Sequence, residues 1–287
     1  LRPRAEDAIE RALTTVLADA GFGLDAPFAE EGRIVFPPVS FTFVSPPRVL
    51  VVSARDRIAT VQSELLRPEV SERAAVVLES AVDDGDVVSL VVPTGGLATY
   101  PAMVLRGSRP IDALASVAHE WAHGHLFFSP LGLRYWSSEE ARAINETAAE
   151  MVGRELGHEL ARALDLEGAA SGAAASREPD REFRTILRAT RVEVDRLLAT
   201  GQVEEAEALM DARRDELAAL GYEVRKLNQA YFAFYGSYGD AAAGASPIPG
   251  HLRRLRERST SAADFLDRVG QLTSAADLAR AVGTSDR

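Results

Sequence analysis

The sequence contains no cysteine. Disulfide bonds, zinc–thiolate sites and cysteine nucleophiles are therefore excluded. Lysine occurs once, at Lys226, so nearly all of the 32 basic residues are arginine, and 43 acidic residues outweigh them. A net charge of −11 runs against the basic face that nucleic-acid binding requires. Apolar runs such as Val87–Val92 are far shorter than the roughly 18–20 residues of a membrane span. Gly-x-Ser-x-Gly, Gly-x-x-x-x-Gly-Lys-[Ser/Thr] and Gly-x-Gly-x-x-Gly are all missing, so neither a serine nucleophile elbow nor nucleotide binding is indicated.

What is present describes a globular chain. Its 287 residues are 46% hydrophobic and 26% charged, enough for one large domain or two small ones around a substantial core. The preference for arginine, with heavy use of Ala, Leu and Val, points to a GC-rich bacterial genome. The chain opens at Leu1 rather than Met. A leader or membrane anchor upstream is the expectation, and with it an extracytoplasmic or membrane-tethered location.

The spacing of apolar residues predicts α+β architecture: strands early, helices late. Residues 5–20 read as an amphipathic helix through Ile9, Leu13 and Leu17. Val39, Phe41 and Phe43, then Val49–Val52, read as two strands with proline-marked ends. Residues 57–82 read as helical, interrupted at Pro68, and Val87–Val92 as a buried strand. Thr94-Gly95-Gly96 precedes a further strand over Tyr100–Leu105; the glycines mark either a ligand-facing edge or a plain hairpin turn. Helices are predicted over 111–127 and 139–164, then over 179–199 and 202–220 as a hairpin. A loop at Glu167–Ser176 separates the two pairs, and an aromatic helix over 223–238 and three short helices complete the chain. The expected division is 1–165, a small sheet packed on a metal-binding helix, and 166–287, a mostly helical part with the long hairpin that completes a cleft.

Three of the five histidines fall within seven residues. His119-Glu120-Trp121-Ala122-His123 reads H-E-x-x-H. On a helix, residues four apart share a face, so His119 and His123 can offer nitrogens to one metal ion. Glu120 then sits beside the metal, placed to take a proton from water. A catalytic zinc ion takes three protein ligands and leaves one position open. A third histidine in the pattern H-E-x-x-H-x-x-G-x-x-H is ruled out, because Leu126 and Ser129 stand where Gly and His belong. The helix over 139–164 offers Glu146 as the third ligand and, one turn on, Glu150 to accept the second ring N–H of a liganding histidine. Glu139, Glu140 and Glu155 are rivals on the same helix.

H-E-x-x-H followed by Asn145-Glu146 on the next helix resembles the gluzincin class of zinc metallopeptidases. Residues 111–285 are similar to a bacterial aminopeptidase family of gluzincin-like proteins. That likeness rests on Asp180-Arg181-Glu182-Phe183-Arg184, the helical hairpin, Leu227-Asn228-Gln229-Ala230 with the tyrosines that follow, and a tail with Pro249, Leu252, Leu255 and Phe265-Leu266. The chain departs from that family in its longer connection, Gly124–Ala143, and in Thr147-Ala148-Ala149 where Ser-Phe-Ala is favoured. The resemblance implies Zn2+ on His119, His123 and Glu146, Glu120 as general base, and a peptide or protein substrate. It also calls for a donor to the oxyanion, with Tyr231, Tyr235, Tyr238 and His125 as candidates; ordinary core packing of the tyrosines and a helix-end role for His125 are the alternatives. Asn228 either contacts the site or caps a helix. Tyr135-Trp136 reads as a lid, a substrate platform or ordinary packing, and His158 and His251 as surface residues. The region 87–105 is expected to edge the cleft, where an extended peptide adds as a further strand. Two other function classes fit the same residues: a metal-binding protein without hydrolytic activity, and a helical interaction module built on the 179–220 hairpin.

Overall fold

Proline and glycine punctuate the first hundred residues into short strands, and serine side chains cap several of the helices. The computed structural model describes residues 2–25, 33–166, 181–236 and 246–283. The stretch Glu167–Ser176, Asp180 and Tyr238 lie outside the described residues. In chain order the first elements are α1 (Arg2–Leu17), a π-type turn (Ala18–Phe22), β1 (Gly23–Asp25), β2 (Arg33–Val35), β3 (Phe41–Val44), β4 (Arg48–Ala54) and β5 (Thr60–Leu66). Next come α2 (Glu72–Val82), β6 (Val87–Pro93), β7 (Gly96–Leu97), β8 (Ala102–Leu105), α3 (Pro110–Leu126), α4 (Pro130–Leu133) and α5 (Glu139–Ala163). The rest are α6 (Arg181–Ala199), α7 (Val203–Ala219), α8 (Gln229–Tyr235), α9 (Ile248–Glu257), α10 (Ala262–Gly270) and α11 (Ala275–Ala281). The α+β expectation holds: small sheets first, then mostly helix.

The division differs from a single cut at 165/166. One compact unit gathers Leu1–Pro46, Gly95–Ser176 and Pro247–Arg287, and the other Pro47–Thr94 and Arg177–Ser246. The physical reason lies in the cores. Leu252, Leu255, Phe265, Leu266 and Leu278 from the last three helices bury themselves with Leu114, Val117 and Trp121 of α3 and Ile144, Val152 and Leu156 of α5. Residues 47–94 instead share a core with Ala230 of α8, which sits among Val51, Leu90 and Val92.

In the first unit, β3 runs parallel to β8, with Phe41 opposite Ala102, and β7 pairs antiparallel with β8. α3 starts at Pro110, suited to a first helical turn, and α5 at Ser138, whose hydroxyl accepts from the Ala141 amide. The two helices approach closely because α5 carries glycine where it meets α3. A Cβ on Gly153 would lie 2.9 Å from His119 Cβ, and one on Gly157 2.7 Å from Ala115 Cα.

In the second unit, β4 lies between β5 and β6, antiparallel to both. Helix α2 belongs to it; its apolar side meets the sheet through Ala75, beside Leu50, Val52 and Val91. Leu187 and Val194 of α6 meet Met210 and Leu217 of α7 and Phe232 of α8 in a second cluster, so the expected helical hairpin is present. Residues 60–66 correct the helical reading of 57–82. Val61 and Leu65 are four apart, as on a helix, but both stand exposed on β5, an outer strand of its sheet. Their spacing reported no buried face at all; pairing with β4 decided the conformation. The helix proper begins only after Pro68, at Glu72.

Replacing Gly157 by alanine separates local propensity from packing. In an exposed helix the change stabilises by up to about 1 kcal/mol. Here the new methyl meets backbone atoms of Ala115, and overpacking of this kind costs about 1–3 kcal/mol. Gly157→Ala is therefore expected to lower the urea midpoint, and a rise would show that α3 and α5 are not held this close.

Candidate metal centre

Helix α3 presents His119 and His123 from one face, as the spacing requires. Their Nε2 atoms lie 3.0 Å apart, and the rings meet edge to face with centroids 4.6 Å apart. Glu146, from α5, directs Oε2 at both: 3.5 Å from His123 Nε2 and 3.8 Å from His119 Nε2. These three are the one group of metal-ligating side chains that converges among the described residues. Atoms held about 2.0–2.2 Å from a tetrahedral ion stand about 3.3 Å apart, and the three separations bracket that value. A buried His-His-Glu group of this kind can hold a metal ion.

The hydrogen bonds around the triad orient it for that purpose. His123 Nδ1 donates to Asn145 Oδ1 at 2.7 Å, which turns Nε2 toward Glu146. The Tyr135 hydroxyl donates to Glu146 Oε1, leaving Oε2 buried and without a hydrogen bond among the described residues. His119 Nδ1 faces the Ala149 carbonyl and Glu150 Oε2, the latter at 3.6 Å. Glu150 thus stands beside His119 as expected. At that separation it is not the hydrogen-bond acceptor anticipated for it, and its other oxygen accepts from Arg154 at 2.7 Å. Asn145 fills that role instead, toward the other histidine.

The charge states follow from this packing. Burial and the neighbouring His123 push His119 down to about 4, so it is a neutral imidazole at pH 7. Burial alone would raise Glu146, but His123, His119 and the Tyr135 hydroxyl hold it at about 2. Burial would lower His123, but the Glu146 carboxylate lifts it to about 9. Burial pushes Glu120 up to about 7, with Glu146 adding to the rise and His123 opposing it. Glu120 is 8% exposed. It lies against β7, where a Cβ on Gly96 would overlap Glu120 Oε1 and lie 2.9 Å from the Met103 carbonyl oxygen. Gly96 therefore permits a close approach of strand to carboxylate.

The remaining candidates have other partners. His125 is two residues past His123, about 200° around the helix. Its ring stacks on Trp121, its Nδ1 lies 3.2 Å from the Phe36 carbonyl oxygen, and its Nε2 lies 3.8 Å from Asp267. It is packed on the far face of α3 and is no donor to the metal centre. Asn228 belongs to the second unit, where it caps α8 by accepting from the Tyr231 amide and donates to the Ser89 carbonyl oxygen at 3.1 Å. Of its two readings, the cap is the one observed. Tyr231 and Tyr235 pack in the same unit, ring against ring at 4.6 Å, beside Val49, Val51 and Val92. Glu139 is exposed; Glu140 accepts from the Ala275 amide and Glu155 pairs with Arg256, which removes all three as rivals to Glu146. His158 is exposed and His251 half-buried. Asn145 and Tyr135 stand out in the sequence, but their hydrogen bonds to His123 and Glu146 are not anticipated there. A buried carboxylate demands a donor and a liganding histidine an acceptor, and that demand is the signal that could have assigned them.

No protein-family model, curated protein or solved structure matches the chain. The reading of the site rests on these side chains.

Metal binding must displace one proton, from His123, because His119 is already neutral and Glu146 already ionised at pH 7. Apparent affinity is thus expected to rise about tenfold per pH unit from about pH 6 to 8, flattening toward the histidine's raised value. Calorimetry in buffers of different ionisation enthalpy reads the proton directly; release of none would refute the assigned charge states. Tyr135→Phe is expected to weaken metal affinity about 10–100-fold, as loss of a ligand-orienting hydrogen bond does elsewhere.

Proposed function

We propose that this chain is a zinc-dependent peptidase of gluzincin type, with His119, His123 and Glu146 holding the metal and Glu120 acting as general base. The observation that carries the reading is a pairing: three converging ligand atoms and, beside them, a buried carboxyl group raised to about 7. Two imidazoles and a carboxylate are a donor set that suits zinc and leaves a position for substrate. The ion, when bound, would lower the pKa of water and polarise the scissile carbonyl. A structural metal gains nothing from a base at its side, whereas a hydrolytic site needs one poised near neutral pH.

The residues divide the work. Glu120 removes a proton from the attacking water as its oxygen bonds to the carbonyl carbon. The same proton passes to the amine nitrogen as the C–N bond breaks, so Glu120 ends as it began. Tyr135 and Asn145 hold Glu146 and His123 in position. Support for a peptide as substrate comes from the sheet: β7 pairs only with β8 among the described residues, and it touches Glu120 through Gly96. An extended chain added there as a strand lies alongside the base.

Elemental analysis of the purified chain is expected to find about one zinc per molecule, lost or much reduced in Glu146→Ala. Glu120→Gln is expected to keep the metal and to cut hydrolysis of a peptide library by about 10²–10⁴-fold. A chain without metal after zinc is offered at neutral pH, or a Glu120→Gln variant of full activity, would overturn the proposal.

A further inference from the structure

The longer connection between α3 and α5 exposes large apolar side chains in quick succession: Phe127, Phe128, Leu133 and Trp136. Trp136 is the extreme case, 81% exposed. An indole left in water is unusual in a chain with only two tryptophans. The other, Trp121, is buried and donates its N–H to the Pro37 carbonyl oxygen at 2.8 Å.

Trp136 is tied to the metal centre by ring contacts. The Tyr135 ring stands edge-on to His123, with centroids 6.0 Å apart, and Trp136 packs edge-on against Tyr135 at 4.8 Å. Tyr135 also donates to Glu146. A single half-buried ring therefore separates the ligand cluster from a free aromatic surface, and both sides of that ring are fixed. Trp136 comes already positioned, so capturing an apolar group there costs little ordering.

We infer that Trp136 is a specificity-determining residue of the proposed peptidase, selecting peptides with a large apolar or aromatic side chain near the bond to be cut. The inference rests on the peptidase reading for its substrate class. The occupant is a peptide side chain because the surface is continuous with the ligand cluster through Tyr135. Attachment to a lipid surface would use the same rings without needing that continuity, and it is the outcome the test must separate.

Trp136 reports on its own occupancy, since Trp121 is inaccessible. The probe is a pair of matched hexapeptides of glycine and alanine carrying one central Phe or one central Ser, each in free and end-blocked forms. The protein is the full metal-loaded chain with Glu120→Gln, which binds without turnover. The Phe peptide is expected to shift the emission to the blue and to protect it from acrylamide, and the Ser peptide to do neither. With Trp136→Ala, followed by competition against a fluorescent Phe peptide, affinity for the Phe peptide is expected to fall about tenfold, with metal content unchanged. Trp136→Phe should restore most of the affinity.

Equal binding of the two peptides, no binding of either, or wild-type affinity in Trp136→Ala would overturn the inference. So would a blue shift produced by phosphatidylcholine vesicles but not by the Phe peptide. The two proposals fail separately. Hydrolysis by the chain with Glu120 intact, without preference for Phe, removes only the role of Trp136. Selective binding of the Phe peptide with no hydrolysis removes the peptidase and leaves Trp136 as a peptide-binding residue alone.

Discussion

The first unit is organised around an ionised carboxylate, Glu146, buried between two helices. Taking such a group out of water costs several kcal/mol unless charge and hydrogen bonds compensate. Much of the local sequence supplies that compensation. Glycines at 153 and 157 let α5 lie against α3. The approach sets Glu146 opposite His119 and His123, and Tyr135 reaches back from the connection to satisfy one oxygen. The remaining oxygen has only imidazole nitrogens before it. Together these three side chains form a group that can hold a metal ion.

The second unit shows how the same chain treats a carboxylate that serves structure alone. Glu79 on α2 is as deeply buried as Glu146. Both of its oxygens are taken: Arg225 donates to each, at 2.5 and 2.9 Å, and the Val91 amide donates to one at 2.6 Å. The single lysine, Lys226, continues the network to Asp83 at 2.7 Å and to the Ser89 carbonyl oxygen at 2.8 Å. Arginine is the side chain suited to closing such a pair, because its fork meets both oxygens at once. Among the described residues no arginine pairs with Glu146. Two equally buried carboxylates are thus partnered differently, one by an arginine fork and the other by imidazoles and a tyrosine hydroxyl.

What the sequence disclosed followed from how local each signal was. His119, Glu120 and His123 were legible because helical periodicity alone places two of them on one face. Glu146 was legible because the helix predicted over 139–164 follows soon after and can return beside the helix that carries the histidines. Asn145 and Tyr135 were not, since their roles depend on the angle at which two distant segments meet. β5 was misread because its apolar residues face solvent, where spacing has no buried face to report. The candidates Asn228, Tyr231 and Tyr235 came from resemblance, and the chain uses them to start and pack α8 of the second unit. The division into units was also beyond local pattern, since each is assembled from segments far apart in sequence.

The sheet of the first unit adds a constraint that points the same way. A three-stranded sheet has two edges, and an uncovered edge invites pairing with any extended chain. On the β3 edge, the Phe41 amide donates to Glu10 at 2.8 Å and the Phe43 amide to Glu6 at 2.7 Å. Both carboxylates come from α1, so an incoming strand there would have to displace charged acceptors already in place. The β7 edge has no such cover among the described residues, yet it is only two residues long, too short to template aggregation. Gly96 on that strand is the residue that touches Glu120. One edge is closed by charge, and the other lies against the buried carboxyl group of Glu120.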